Sequence, residues 1–372
     1  MPKLSLITLH AVQNYGSVLQ TYASQIYFER LGYDTEVVDY IRENNQKENL
    51  VDTYIRNSKI RNRNKFTRFI FRHIKRRELE ERYTLFRSFL ETYIHLTPRQ
   101  YLKEADFEQH PIAADIYCTG SDQTWNSHWN RGTLTPFYLT YAREGALKIA
   151  YASSFGKNRL EKDEREIIRD LLSSYDMITV REQEAVGILS DLGIASKRVL
   201  DPTLMLSRED WRNFADVPIV EGEYMLIYQL GYNKNFNRLA KQIAKEKKIK
   251  LIRIGFGSEA RFYGGKVVIN PEVRTFLSLL ANAKYIITDS FHATSFAVNL
   301  NVNFFCWLPK VFSGRITDFL SLLGLENRVF RNYEELSRLF ESQINFAAVN
   351  RKLEKERGRC AELIAEMVGV RV

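Results

Sequence analysis

The sequence predicts an α/β protein with two Rossmann-like domains that face each other across a cleft. Three observations support this prediction. The chain opens with a strand, a helix and a second strand, which form the βαβ unit of a parallel sheet. Apolar runs and amphipathic stretches then alternate, and the alternation restarts after a loop near residues 202–222. The length of 372 residues is also too great for one ordinary core.

The predicted domain boundary lies at residue 210, within that loop. The N-terminal domain would span residues 1–210, and the C-terminal domain would span residues 211–372 and end in a helix. Runs rich in β-branched and aromatic residues predict the strands of the first domain: KLSLITL, DTEVVDY, ADIYCTG, LKIAYASSFG, MITVRE and KRVLDPTLML. Helical periodicity predicts its helices: NYGSVLQTYASQIYFERLG, EKDEREIIRDLLSSYD and EQEAVGILSDLG.

The second domain repeats the same alternation. Its predicted strands are YMLIYQL, IKLIRIGFG, KYIITD and NFFCWL. Its predicted helices are NFNRLAKQIAKEKK, VRTFLSLLANA, ATSFAVNL and VNRKLEKERGRCAELIAEMVG. Each domain therefore has the strand and helix content of a doubly wound sheet.

A strongly basic segment at about residues 55–90 interrupts the first domain. Its apolar spacing predicts an inserted pair of helices with solvated faces. The same segment is also compatible with a surface that meets anionic lipid headgroups or a lipid pyrophosphate. The sequence contains no recognisable nucleic-acid module, so we predict no nucleic-acid partner.

Composition indicates a soluble globular protein, with 45% hydrophobic and 27% charged residues. The net charge of +9 favours anionic partners without choosing among them. No apolar run approaches the ~20 residues that span a bilayer. Three cysteines, Cys118, Cys306 and Cys360, are few and lack metal-ligand spacing, which favours a reducing compartment. We expect a cytoplasmic protein, with peripheral contact at the inner face of the cell membrane as a further option.

Several catalytic motifs are absent from the sequence. It contains no P-loop, no GxGxxG after the first strand, no HExxH and no GxSxG. This argues against a nucleotide-hydrolysing machine and a dinucleotide oxidoreductase, and we expect neither a metal nor a cofactor. In doubly wound sheets, ligands bind beyond the carboxyl ends of the strands. Site candidates are therefore the polar residues after each strand, beginning with His10 and Asn14, which follow the first one.

The stretch TGSDQTWNSHWN, residues 119–130, follows a predicted strand. Its glycine, hydroxyls, carboxylate and indoles suit a sugar or carboxylate ligand, so Ser121, Asp122 and Trp125 are candidates. The alternative is a turn that caps a helix, with Trp125 buried in the core.

Arg181 lies one residue past a predicted strand, where its planar guanidinium could bind a carboxylate or phosphate. The alternative is a surface arginine paired with Glu182 or Glu184. His292 lies where the strand KYIITD turns into a helix, after Asp289 and Ser290. A helix N-terminus disfavours an imidazolium and favours a bound anion, which could turn this residue into a proton shuttle. The alternative is a packed histidine, with Asp289 or Ser290 as an N-cap.

Several motifs, in this order, resemble the polysaccharide pyruvyl transferase family over most of the chain. They are NYGSVLQTYA near the start, GSDQTWN at 120–126, YASSFG at 151–156, VRE at 180–182, VLDPTLML at 199–206, TDSFHATSFA at 288–297 and GRITDFLSLLGL at 314–325. The resemblance implies a two-domain glycosyltransferase-B-like architecture. It also implies transfer of pyruvate from phosphoenolpyruvate onto two hydroxyls of a sugar, giving a cyclic ketal in capsule, exopolysaccharide or cell-wall glycan synthesis.

The resemblance also implies roles for individual residues. The basic residue of the family falls on Arg181 and its histidine on His292, both in donor handling; Ala293 stands where the family usually has glycine. We predict that His292 and Asp122 handle protons. The remaining predicted roles are donor binding by Arg181, Ser290 and Arg315, and acceptor or cleft contacts by Asn14, Ser121, Trp125 and Asp289.

Two other functions remain open at this point. One is a glycosyltransferase of the same architecture that uses a nucleotide sugar and binds the nucleotide diphosphate in the second domain. The other is a basic adaptor without catalysis that binds anionic glycan or membrane through residues 55–90. The acceptor of a pyruvyl transferase could be a lipid-linked oligosaccharide, a polymer or a nucleotide sugar.

Overall fold

A computed structural model describes residues 1–309 and 314–369. It confirms the predicted α/β class, with two sheets of parallel strands and interspersed helices. The chain divides into two compact units. The first comprises Met1–Phe155 and Glu161–Ile178, and the second comprises Gly156–Leu160 and Thr179–Val372.

The first sheet has, among the described residues, six strands in the order β2-β1-β3-β4-β5-β6. The pairs β1–β2, β1–β3, β3–β4 and β5–β6 are parallel. Its strands are β1 (Lys3–Ile7), β2 (Asp34–Val37), β3 (Ile116–Thr119), β4 (Leu147–Ser153), β5 (Met177–Val180) and β6 (Lys197–Arg198). The helices in this part of the chain are α1 (Tyr15–Arg30), α2 (Leu50–Arg56), α3 (Lys65–Tyr93), α4 (Ala105–Gln109), α5 (Ser127–Asn130), α6 (Arg165–Leu172) and α7 (Gln183–Asp191).

The second sheet has, within the described ranges, five strands in the order β11-β10-β7-β8-β9, and its neighbouring strands are parallel. Its strands are β7 (Tyr224–Tyr228), β8 (Lys250–Gly255), β9 (Lys266–Ile269), β10 (Tyr285–Thr288) and β11 (Asn303–Cys306). The remaining helices are α8 (Pro202–Met205), α9 (Arg208–Phe214), α10 (Lys234–Glu246), α11 (Val273–Ala281), α12 (Phe291–Asn299), α13 (Gly314–Leu323), α14 (Tyr333–Glu341) and α15 (Phe346–Val368).

The compact units divide the chain near residue 179, and the domain boundary at residue 210 stays a prediction from the sequence. The last helix, α15, binds the segment that follows residue 179. Arg359 donates to the backbone oxygen of Arg198 at 3.0 Å, and Arg357 donates to that of Leu204 at 2.6 Å. The local alternation of strands and helices in the sequence does not predict these long-range contacts.

The basic segment comprises the end of a short helix, α2, and most of a long helix, α3, which agrees with the predicted inserted pair of helices. Asn64 ends the connecting loop and begins α3 with a capping box, in which its side chain accepts the Thr67 amide at 2.9 Å. No helix in the described part of the chain is long and apolar enough to cross a membrane.

Candidate active site

The predicted donor residues lie in the second compact unit, near the ends of strands. Arg181 follows β5, and His292 lies in the first turn of α12, directly after β10. Ser290 is the N-cap of α12, because its hydroxyl oxygen accepts the Ala293 amide at 3.4 Å. His292 is thus held at the positive end of a nine-residue helix, as the sequence predicted.

A buried ion pair lies beside this histidine. The Arg181 guanidinium donates to Asp201 Oδ2 at 2.7 Å, and the two side chains are 1% and 0% exposed. The other carboxylate oxygen of Asp201 accepts the amide and the hydroxyl of Thr203, at 3.0 and 2.7 Å. Burial alone would raise the pKa of Asp201, but His292, Arg181 and Thr203 more than offset it and hold that pKa far below its usual range.

The imidazole of His292 faces the same carboxylate without a hydrogen bond. Its Nε2 lies 3.7 Å from Asp201 Oδ2, which is longer than a hydrogen bond, and within the described residues this buried nitrogen has no hydrogen-bond partner. A buried polar atom without a hydrogen bond costs free energy, which a bond from a ligand to this nitrogen would recover. A small rotation would let His292 bond to Asp201 or to a ligand.

Two arginines flank the ring of Phe291. The guanidinium carbon of Arg181 lies 5.2 Å from the ring centroid, and that of Arg315 lies 5.8 Å from it. Arg315 is only half-buried, whereas the Arg181 side chain is enclosed. Glu182 approaches Arg181 at 3.6 Å, so the alternative of an ion pair with this residue is partly realised, although in the interior and not at the surface. Arg315 therefore presents the more accessible guanidinium.

The space enclosed beside the ion pair is small. Arg181, Asp201, Phe291 and Phe319 line a pocket of about 20 Å³. That volume holds roughly one water molecule. A larger anionic ligand would therefore lie against the half-buried side chain of Arg315 and not inside this pocket.

Sequence reasoning did not single out Asp201. The signal for it is the pair Asp201-Pro202, three residues after the end of β6, since aspartate caps helices and proline suits their first position. Its partner Arg181 is 20 residues away along the chain, and that pairing carries no local signal.

Asp289, predicted as a cleft residue, connects the loops after β7 and β10. Its carboxylate accepts the Leu230 amide at 2.7 Å and the Gly231 amide at 3.4 Å. Burial raises the pKa of Asp289 to about 6. The carboxyl group therefore combines a structural role with a titration near neutral pH.

Replacing Asp289 with asparagine should change how stability depends on pH. The folded-state pKa lies above the unfolded value of about 4, so the parent protein loses stability as pH rises through about 4 to 6. The full loss corresponds to about 2–3 kcal/mol. Asp289→Asn should match the parent near pH 4 and unfold at higher urea concentration near pH 8. The same change at the exposed Asp163 serves as control, and a pH-independent difference for Asp289→Asn would contradict the prediction.

Three of the four predicted acceptor or cleft residues, Asn14, Ser121 and Trp125, lie in the first compact unit, as does Asp122. Asn14 is the N-cap of α1 and accepts the Gly16 amide at 2.9 Å. Ser17 lies in the first turn of α1, and its hydroxyl donates to Asp122 Oδ2 at 2.6 Å. Asp122 has a φ of 71°, a conformation that aspartate tolerates better than most side chains. Ser121 is fully buried, and its backbone oxygen accepts the Thr8 hydroxyl at 2.7 Å.

Trp125 lies in the core of this unit. Its side chain is 0% exposed, and its indole N–H donates to the backbone oxygen of Phe137 at 3.0 Å. The ring packs against Tyr138, Phe155 and Tyr175. This placement corresponds to the core alternative and leaves no ring face for a sugar.

A second buried network in this unit involves His10. Its Nε2 lies 2.9 Å from Asp39 Oδ1, and Arg87 of α3 donates to both oxygens of Asp39 at 2.9 and 2.8 Å. Burial alone would raise the pKa of Asp39, but His10 and Arg87 more than offset it and lower that pKa. The network anchors the second half of α3 to the end of β2. Across residues 1–309 and 314–369, no group of three or more His, Cys, Asp or Glu side chains could hold a metal ion.

Solved structures with the same fold are known. Staphylococcal MnaA bound to UDP (S. aureus) is 10% identical, with 100% of this chain and 98% of that chain covered and a TM-score of 0.55. A UDP-N-acetylglucosamine 2-epimerase is 11% identical, with 100% and 97% covered and a TM-score of 0.56. A UDP-glucosyltransferase from Polygonum tinctorium is 10% identical, with 100% and 99% covered and a TM-score of 0.50. At these identities the likeness concerns the fold alone, which is glycosyltransferase-B-like.

The sequence itself matches a family. No curated protein matches it. The model of the family described as "Polysaccharide pyruvyl transferase" matches residues 14–307. That range includes four residues of the candidate site: Asp122, Arg181, Asp201 and His292. Since this match spans most of the sequence, the chain belongs to the polysaccharide pyruvyl transferase family.

Proposed function

We propose that the protein transfers pyruvate from phosphoenolpyruvate onto two hydroxyls of a sugar and forms a cyclic ketal in capsule, exopolysaccharide or cell-wall glycan synthesis. The observation that supports this most is the buried cluster at the start of α12. There an unpartnered imidazole nitrogen of His292 lies beside the Arg181–Asp201 pair, and Arg315 flanks the same helix start. Cations next to a helix N-terminus suit a donor with one carboxylate and one phosphate.

The proposed reaction balances with proton transfer alone. A proton is added to the methylene carbon of the donor, which becomes the methyl group of the ketal. The two sugar hydroxyls lose their protons as they bond to the central carbon, and the bond from that carbon to the phosphate oxygen breaks. Of the two protons released by the hydroxyls, one balances the proton added to the methylene carbon and the other leaves with the inorganic phosphate. The scheme needs a proton donor, a base and cations near the phosphate.

In this scheme His292 is the proton-transfer group on the donor side. Asp201 lies 3.7 Å from its Nε2 and would orient the imidazole and stabilise its charged form. Arg315, which is half-buried, and the Ser290 hydroxyl would bind the donor. Arg181 is enclosed in its ion pair and would act on the donor mainly by fixing Asp201.

Asp122 is the proposed base for the acceptor hydroxyls. It follows β3, and its carboxylate already accepts a hydrogen bond from Ser17. Asn14 lies near the start of the same helix as Ser17 and would contact the acceptor. Neither a metal nor a cofactor is part of this proposal.

Direct assay of the donor tests the proposal. Incubated with phosphoenolpyruvate and a galactose- or glucose-type acceptor, the protein should release phosphate and add the mass of a pyruvate ketal to the sugar. Phosphate should not appear when the acceptor is omitted. An acceptor carried on a lipid would bring the enzyme to a membrane, so vesicle-borne and soluble acceptors should be compared. Release of UDP or GDP from a sugar nucleotide, with no ketal formed, would overturn the proposal.

A nucleotide-sugar-dependent glycosyltransferase is the second candidate. A basic pocket of about 520 Å³ in the second unit favours it, because basic and aromatic side chains together suit a nucleotide. The pocket is lined by Tyr232, Lys234, Asn237, Arg238, Lys241, Gln242, Lys245, Phe262 and Tyr263. A rise in melting temperature with phosphoenolpyruvate, and none with a panel of nucleotide sugars, would support the pyruvyl transferase. The reverse result would support the glycosyltransferase.

A further inference from the structure

The basic segment concentrates the charge of the whole chain. Residues 56–77 contain ten lysines and arginines and no aspartate or glutamate. This is slightly more than the net charge of the entire protein, which is +9. Most of these basic side chains are exposed: Arg56, Lys59, Arg63, Lys65, Arg68, Arg72, Arg76 and Arg77. The rest of the chain is close to neutral, so the positive field originates mainly from this segment.

Large apolar side chains are exposed on the same segment. Ile60 is 76% exposed, Phe66 71%, Phe69 61% and Ile74 64%. Single exposed apolar residues are normal, but several together on one element indicate an interaction surface. On α3 the residues Phe66, Phe69, His73 and Ile74 follow helical spacing and lie along one face, here called the outer face of α3.

The opposite face of α3 is already occupied. Leu79 packs with Val51 and Ile55 of α2, and Tyr54 and Phe71 cover this small cluster. Phe71 is roughly 140–160° away from Phe66 and Phe69 around the helix axis, and Leu79 is roughly 140° away from Phe66. The outer face therefore cannot turn inward without breaking the contacts between α2 and α3.

Polar contacts hold the loop between these helices. Arg61 donates to the backbone oxygen of Tyr54 at 2.9 Å, and its guanidinium carbon lies 3.9 Å from the Tyr54 ring centroid. Further along α3, Arg87 binds Asp39, which follows β2, and this contact fixes the helix to the end of that strand. The exposed aromatic side chains thus stand on a well-supported helix and not on a loop tip.

We infer that the outer face of α3 binds the surface of a bilayer that contains anionic lipid. An interfacial helix inserts its apolar side chains at the boundary between headgroups and acyl chains, while flanking cations attract anionic headgroups. Phe66, Phe69 and Ile74 supply the first component, and Lys65, Arg68 and Arg76 supply the second, whereas Arg72 is paired with Asp52. Nucleic acid would use the cations but would leave the row of apolar side chains unexplained.

Binding to vesicles tests the inference independently of the proposed reaction. The full-length protein should sediment with vesicles of phosphatidylcholine and phosphatidylglycerol, and far less with phosphatidylcholine alone. Phe66→Ser with Phe69→Ser should weaken binding to the anionic vesicles by about tenfold or more, since each phenylalanine loses its burial in the interface. Reversal of charge at Arg63, Lys65, Arg68 and Arg76 should weaken it further and reduce its salt sensitivity.

Matched controls separate the surface from general effects. Val217→Ser removes an exposed apolar residue of the second unit, and Arg351→Glu with Lys355→Glu reverses charges on α15; both variants should bind vesicles like the parent. Thermal unfolding of all variants checks that folding is intact. The inference is overturned if the parent does not bind anionic vesicles. It is also overturned if the phenylalanine variant binds anionic vesicles as the parent does. The same conclusion follows if the parent binds duplex DNA and the phenylalanine variant binds the DNA equally well.

Discussion

Replacing His292 with alanine should lower turnover by about 10²–10⁴ while the protein melts nearly as the parent does. The imidazole lies at the start of α12 with its Nε2 unpartnered and 3.7 Å from Asp201. Loss of a positioned proton-transfer group typically costs this factor in rate. Removal of a structural histidine would instead lower stability and leave the activity of the folded fraction intact. The measurement is phosphate release from phosphoenolpyruvate in the presence of acceptor, together with the melting temperature.

Companion variants make this test specific. His292→Asn should lose activity to a similar extent, because asparagine can donate a hydrogen bond but cannot transfer the proton. Added imidazole should restore part of the activity of His292→Ala if the pocket admits it. The exposed His95 is a matched control, and His95→Ala should keep full turnover. Near-parental turnover of His292→Ala would return this residue to a packing role.

The sequence predicted the parts of the fold that local patterns encode. The opening strand, helix and strand, the strand before His292 and the helix after it all appear in the structure. Local chemistry is sufficient there, because β-branched runs form buried strands and Asn14 and Ser290 cap the helices that follow. The position of His292 at a strand end could be predicted for the same reason.

Long-range contacts explain what the sequence did not reveal. Asp201 became part of the site only through its pairing with Arg181, which no local signal encodes. Trp125 lies in a polar stretch that suits a sugar site, yet Phe137, Tyr138 and Tyr175 bury it from elsewhere in the chain. Periodicity shows which residues share a face but not what covers that face.

Breaking the buried ion pair should have the largest effect on stability. Asp201→Ala leaves the guanidinium of Arg181 in the interior without its 2.7 Å bond to this carboxylate, while Glu182 lies 3.6 Å away. Removal of one partner of a buried pair typically costs about 3–5 kcal/mol of unfolding free energy. Arg181→Ala with Asp201→Ala should cost less than the sum of the single changes, because neither charge then stays buried alone. Urea unfolding of the four proteins measures this coupling.

Lowering the pH should weaken the stabilisation that the Arg181–Asp201 pair gives to the fold. The folded-state pKa of Asp201 lies below the unfolded value of about 4, so its contribution is complete above that pH and is lost as pH falls. Asp201→Asn should therefore differ most from the parent near neutral pH, and the gap should narrow in acid. Glu223→Ala removes the exposed pair with Lys284 and should cost at most about 1 kcal/mol. If Asp201→Ala costs no more than this control, the pair does not stabilise the fold, and the orientation of His292 needs another explanation.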